Sequence, residues 1–372
     1  MARTRVLFFT PTLASGGADR VAVTLLRHLD RSQFDPTLVL LRREGSFVDE
    51  LPDHVRTIEL GSRRLAVSVL ALARVLRAER PDVVFAMQGG ANIVASIAHV
   101  LSRSQARLVI SERSALRRPD RSPTRTALEL PAKRATYRHA DVVTAVSRGV
   151  ATALVTELGL TRSKVHVVYN PLVDDETRRQ AGEPVDHRWF AEEVPIIIAI
   201  GRLVAIKDYP TMLAAFATVR RHRRVRLFVL GEGPLLASLE EQARQLGIAD
   251  DVVFHGFDPN PFKYLARAQV LVHTSKAEGL PGGIIQAMAC GLPVVSTDAD
   301  FGPREVISDG RDGFLVPIGD ISAVAQQILR VLDDAELSRS ISLAARASAQ
   351  RFTTGAAMTR YQGAMLGEAA TW

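Results

Sequence analysis

A single cysteine, few aromatic residues and no long apolar run set the first limits on this chain. Cys290 is the only cysteine among 372 residues, so no intramolecular disulfide can form and a reducing compartment suits the protein. It stands in the apolar run Ala287-Met288-Ala289-Cys290, where a buried small side chain is expected rather than a nucleophile. Aromatics make up 6% of the chain. With no helix-turn-helix, zinc-ligand spacing or stacking-aromatic pattern, nucleic acid is not an expected partner. No apolar stretch approaches the ~20 residues that span a bilayer. The run at 6–9 is too short for a signal-peptide core and reads as a buried strand. A cytoplasmic protein, or one peripheral on the inner face of the plasma membrane, is expected. His28, His99, His139 and His255 are scattered without H-x3-H spacing, so neither a metal site nor a metal cofactor is expected.

What is present is an ordinary globular composition, 47% apolar and 23% charged. The length favours two α/β domains of ~150–200 residues each. The net charge of +7 is uneven, because residues 1–175 hold 26 Lys and Arg against 17 Asp and Glu. Its densest part, between 113 and 138, has eight basic and two acidic residues. That stretch reads either as a solvated face or as a surface for anionic lipid or a pyrophosphate-linked acceptor.

Short β-rich apolar runs alternate with helical segments, the pattern of parallel sheets covered on both faces. Strands are expected at 5–9, 36–41, 55–59, 82–86, 107–111, 141–145 and 165–168 in the first half. The second half should carry them at 195–200, 225–230, 252–255, 270–273, 293–296 and 314–316. Helices are expected at 17–30, 65–79, 91–102, 148–158, 208–222, 234–246, 261–268, 283–290, 303–308 and 320–333, with a helical tail at 335–370. The apolar face of 65–79, LAVSVLALARVLRAE, is expected in the core. The polar, Pro- and Gly-bearing segment 172–193 reads as a linker. The expected organisation is an N-terminal domain at 1–171, that linker, a C-terminal domain at 194–352 and a last helical piece at 353–372. Two doubly wound, Rossmann-like domains facing a central cleft follow, with ligands at the carboxyl ends of strands.

Three loops stand where that rule points. Residues 10–20 follow the first strand and open a helix, and Gly16-Gly17 allows either close ligand approach or a simple tight turn. The sequence there is neither a G-x-G-x-x-G fingerprint nor a Walker loop. Gly201-Arg202 and Lys207-Asp208 follow the buried strand at 195–200. Arg202 and Lys207 can grip one diphosphate, or else pair with a carboxylate and stand in solvent. The third loop runs from Ser275 through Glu278, Gly279, Leu280, Pro281, Gly282 and Gly283 to Gln286. Its glycine pair frees helix-terminal amides for a phosphate, and Glu278 and Gln286 can bond sugar hydroxyls. Asp298-Ala-Asp300 spells a metal-binding triplet but is read as coincidence.

Together these segments resemble the retaining glycosyltransferases of family 4 (GT4), which have the GT-B fold. The resemblance covers nearly the whole chain. It rests on SGGADR at 15–20, AVSRGV at 145–150, VVYNPLVD at 167–174, GRLVAIKDYPTML at 201–213 and GEGPLLASLEEQARQLGIADDVVFHGF at 231–257. The Glu-x7 block at 278–286 and GPREVISDGRDGFLVPIGD at 302–320 complete it. It implies that Arg202 and Lys207 hold the diphosphate and Glu278 the donor sugar, these three being catalytic. The implied donor-binding set is Gly16, Gly17, Gly201, Arg202, Lys207, Gly256, Glu278, Gly279, Leu280, Pro281, Gly282, Gly283 and Gln286. No cofactor is implied, since the nucleotide sugar is a substrate.

Two departures from the family matter. Gln286 stands where a second glutamate usually binds the ribose. The N-domain loops at 86–89 and 110–113 lack the family's histidine. The pattern looks like the branch that moves hexoses or N-acetylhexosamines to lipid-linked or capsular glycans, which points to a UDP-sugar donor and a glycan or lipid-linked glycan acceptor. A UDP-sugar 2-epimerase on the same fold and a catalytically weak sugar-nucleotide-binding subunit remain alternatives.

Overall fold

The computed structural model describes residues 3–13, 17–62, 64–117 and 122–368. Gly16, Arg118 and Arg121 lie outside them. The described chain divides into two compact units, one taking residues up to 117, 122–171 and 354–368, the other 172–353.

The first unit holds a parallel sheet of β1 (Thr4–Thr10), β2 (Phe34–Leu40), β3 (Arg56–Glu59), β4 (Val83–Met87), β5 (Arg107–Glu112), β6 (Val142–Ala145) and β7 (Val165–Val167). Its order is β3-β2-β1-β4-β5-β6-β7. All five residues of β4 are buried, the result of helices on both faces. Those helices are α1 (Gly17–His28), α2 (Val69–Glu79), α3 (Gly89–Ser102), α4 (Pro123–Tyr137) and α5 (Arg148–Leu158). Local signals set their ends. The Ser147 side chain accepts from the Val150 N–H to start α5, and Gly159 at φ 69° ends it.

α4 falls in the basic stretch at 113–138, where the sequence gives no helical signal. It has Pro131 inside it and little apolar periodicity. What holds it is a buried polar cluster, because Lys133 and Tyr137, four residues apart on one face, both donate to Glu112 Oε2 at 2.7 Å. A signal of that kind lies in the tertiary partner, not in the helix's own pattern.

The second unit repeats the plan with β8 (Ile196–Ile200), β9 (Arg226–Leu230), β10 (Val252–Gly256), β11 (Val270–His273), β12 (Val294–Thr297) and β13 (Phe314–Val316). The order is β10-β9-β8-β11-β12-β13, again all parallel. Around it lie α6 (Asp175–Ala181), α7 (Tyr209–His222), α8 (Leu236–Gln245), α9 (Phe262–Leu265), α10 (Gly282–Ala289), α11 (Pro303–Val306), α12 (Ile321–Asp333) and α13 (Ala335–Ala349). Leu213, Phe216, Leu227, Val229, Val270 and Ile328 are among its fully packed core.

Residues 172–193, expected as a linker, fold instead within this unit. Asp174 and Thr177 form a capping box that starts α6. Asn260 Nδ2 ties it to α9's approach through the Gln180 carbonyl at 3.0 Å. Trp189 is 2% exposed, with the Arg226 guanidinium 4.8 Å over its ring. Isolated anchors in a polar segment carry no periodicity, so only packing reveals them. The last helix, α14 (Thr354–Leu366), belongs to the first unit. Its buried Tyr361 meets the Phe85 ring edge-on at 5.8 Å.

Strand order reverses between β1 and β4 in one sheet and between β8 and β11 in the other. The carboxyl ends at these two points are where open α/β sheets leave room for a ligand.

Candidate active site at the β8–β11 switch point

β8 ends at Ile200 and the chain turns through Gly201 at φ 152°. Gly201 N–H donates to the Leu230 carbonyl at 2.9 Å and Gly231 N–H to the Gly256 carbonyl at 2.8 Å. Three glycines therefore line the carboxyl edges of β8, β9 and β10. A Cβ on Gly231 would lie 2.0 Å from the Gly201 oxygen, so only glycine fits there.

The loop then forms a 3-10 turn, Ala205–Lys207, and passes Asp208 at φ 48° into α7. The loop after β11 is stitched to it. Thr274 Oγ1 donates to the carbonyls of Lys207 and Asp208, both at 3.0 Å. Lys276 N–H donates to the Ile206 carbonyl at 2.8 Å. Tyr209 donates its hydroxyl to the Gly201 carbonyl at 2.8 Å.

These bonds bring Lys207 and Glu278, 71 residues apart, into contact at Nζ–Oε1 2.6 Å. His273 Nε2 lies 2.8 Å from the same oxygen. The side chains of Glu278 and His273 are 11% and 6% exposed, and that of Lys207 22%. Burial alone would push the Glu278 carboxyl up. The Lys207 charge and the His273 hydrogen bond outweigh it and hold the group well below the usual range. Burial lowers the His273 pKa against the pull of Glu278, and raises that of Tyr209, with the Glu278 charge adding to the rise.

α10 starts beside this pair. A Cβ on Gly283 would sit 3.6 Å from the Ile200 oxygen, and one on Gly282 3.6 Å from Leu172. The first amides of α10 precede its own helical hydrogen bonds and stand on residues that carry no side chain. Arg202 is exposed, and its side chain has no partner among the described residues. Gln286, half-buried one turn into α10, likewise has none for its amide.

Gly201, Arg202, Lys207, Glu278, Gly279, Leu280, Pro281, Gly282, Gly283 and Gln286 thus all fall on the two switch-point loops and the helix after them, and Gly256 on the neighbouring strand edge at φ 90°. Gly17 opens α1 in the first unit. Asp298 is bound through both oxygens by Arg304. His273, Tyr209, Thr274 and Asp208 were not singled out from sequence. The only cue for His273 was its place as the last residue of a strand, five before Glu278.

In the first unit, Gln88 and Arg113 occupy the loops that lack the family's histidine. Gln88 stands at φ 82° after β4, and its amide donates to Asp19 Oδ1 at 2.8 Å. Arg113 donates to Asn170 Oδ1 at 2.6 Å and to the Tyr361 hydroxyl at 3.2 Å.

An unpaired guanidinium, an ammonium and open helix amides suit a diphosphate, and a carboxylate among them suits a hydroxyl-bearing group. Two doubly wound units with such a site on the second match the plan of a GT-B transferase.

The comparisons give the family. The pattern described as Glycosyltransferase Family 4 matches residues 15–176, and that described as Glycosyl transferases group 1 matches residues 186–348. The chain belongs to glycosyltransferase family 4. It is 26% identical over 358 residues to the N-acetylgalactosamine-N,N'-diacetylbacillosaminyl-diphospho-undecaprenol 4-alpha-N-acetylgalactosaminyltransferase of Campylobacter jejuni, covering 92% of this chain and 94% of that one. It is 27% identical to the lipopolysaccharide core biosynthesis glycosyltransferase LpsE of Rhizobium meliloti, covering 87% of each. Anabaena HepE, crystallised with UDP-glucose, superposes with a TM-score of 0.82 over 98% of this chain and all of that one, at 22% identity.

Proposed function

We propose that this glycosyltransferase moves a hexose or N-acetylhexosamine from a UDP-sugar to a hydroxyl of a lipid-linked glycan, with retention at the anomeric carbon. The observation that carries the proposal is the Lys207–Glu278 contact beside the open amino end of α10. Arg202, Lys207 and the α10 amides meet the negative charge that grows on the leaving UDP, the term that often dominates rate. Glu278 binds a sugar hydroxyl. The anomeric carbon–oxygen bond to the β-phosphate breaks, the acceptor oxygen bonds that carbon on the same face, and the acceptor proton passes to the leaving phosphate oxygen. No metal or other cofactor is required in this scheme.

The Campylobacter relative's name supports the acceptor class, a diphospho-undecaprenol-linked glycan, and specifies an alpha linkage, the outcome of retention from an α-configured donor. A panel of UDP-sugars with a polyprenyl-diphosphate-linked oligosaccharide, the product's anomeric configuration read by NMR, tests the reading. UDP release and free sugar without acceptor would favour the 2-epimerase, and donor binding without turnover a binding subunit.

An acceptor in a membrane calls for a docking face, and we propose an anionic bilayer as its occupant. Of the basic stretch at 113–138, Lys133 is buried on Glu112, while Arg117, paired with Glu157, stays exposed with Arg134 and Arg138; the same unit also carries an apolar surface. Val67 and Leu70 are 65% and 61% exposed, and Ile97, Val100 and Leu101 on α3 are exposed too. α2 packs along α3, with Arg77 donating to the Leu101 carbonyl. Exposed Arg64, Arg74 and Arg103 flank these residues, the charge sign an anionic lipid surface attracts. No helix among the described residues is long and apolar enough to cross a membrane. Wild type is expected to pellet with anionic vesicles at low salt, and Val67→Ser with Leu70→Ser to lose this. Equal partition into neutral vesicles would refute the charge argument.

A further inference from the structure

The donor reading leaves one buried group beside the site unused. His273 is the last residue of β11, and its backbone is fixed by pairing with Ser296 on β12. Its ring reaches forward to the same Glu278 oxygen that Lys207 contacts. Glu278 Oε2 has no protein partner among the described residues. The two oxygens of one carboxylate are therefore unequal, one bonded twice by the protein and the other open.

Building on the proposed donor site, we infer that His273 is a positioning residue: its Nε2–H, together with Lys207, clamps Glu278 Oε1 so that Oε2 alone faces a hydroxyl of the transferred sugar. The proton assignment follows from the acceptor. Glu278 is ionised and can only accept, so the neutral ring must carry its hydrogen on Nε2. A carboxylate held by Lys207 alone would turn about that one contact, since an ammonium is a point charge without directional preference. A second donor from a rigid strand removes that freedom. The consequence is selective: His273 governs how well the sugar is held and leaves the nucleotide's contacts untouched.

The test compares affinities for UDP and for UDP-sugar in wild type, His273→Leu and His273→Gln. His273→Leu should weaken UDP-sugar binding and kcat/KM by about 10-fold or more, the scale seen when an orienting partner is removed, while UDP binds as in wild type. His273→Gln, which keeps a donor at similar reach, should recover to within about threefold. A purely structural histidine would shift UDP and UDP-sugar together, or neither, and either result would overturn the assignment. The ¹⁵N spectrum of the ligand-free wild type decides the contact independently: an Nε2–H tautomer is expected, and an Nδ1–H tautomer would overturn it. A wild type that binds UDP but no UDP-sugar would sink the donor reading instead, with the tautomer still reporting on the His273–Glu278 clamp.

Discussion

Lys207→Ala removes one of the two cations at the β8–β11 switch point and also uncovers Glu278. The first effect is on the leaving group. Loss of one charge-stabilising donor in a shielded site typically costs 10²-fold or more in kcat/KM, ~3 kcal/mol. UDP carries the leaving group's full charge, so its affinity should fall on a similar scale. At a UDP concentration of about 100 times the wild-type Kd, the protein gains about 2.7 kcal/mol of stability, and after a 10²-fold loss only about 0.4 kcal/mol. The second effect is on the ligand-free fold. Breaking a fully buried ion pair costs about 3–5 kcal/mol. Lys207 is 22% exposed, so water can partly replace it, and about 2 kcal/mol is the expected loss. Initial rates at several donor concentrations and melting curves with and without UDP separate the two. Turnover within threefold of wild type, with an undiminished UDP shift, would refute the phosphate role.

The remaining expectations follow from the same geometry. Glu278→Gln should abolish transfer and lower stability at pH 7; because the folded pKa lies below the unfolded value of ~4.5, the stabilisation is complete above that pH and lost as pH falls through the folded pKa, so urea denaturation should find the gap to wild type closing under acid. Gln286→Glu restores the carboxylate usual in the family and should preserve or raise activity; a dead enzyme in the donor panel would mean the ribose side has been rebuilt for another ligand. Gly231→Ala would put a Cβ 2.0 Å from the Gly201 oxygen, so calorimetry should show a loss on the order of 3 kcal/mol or more, and a neutral variant would refute the close packing of the strand edges.

Most of the thirteen strands were legible because they are short apolar runs buried on both faces, as in β4 and β11, and such runs need no distant partner to be recognised. β3 and β10 are only partly buried and were legible from their place in the alternation. The positions of Arg202, Lys207, Glu278 and the Gly282-Gly283 pair were legible for a related reason: loops after strands in an alternating α/β chain have a known place. α4, α6 and Trp189 were not legible, since each is held by scattered contacts, Lys133 and Tyr137 on Glu112, Asn260 on the Gln180 carbonyl, Trp189 under Arg226. Sequence alone thus determined the fold class, the family and the loops that carry the candidate site, all properties of local pattern and order. Only the tertiary structure decided that Lys207 and His273 converge on one oxygen of Glu278. That contact joins residues up to 71 positions apart through the strand order β8-β11, which no local periodicity encodes.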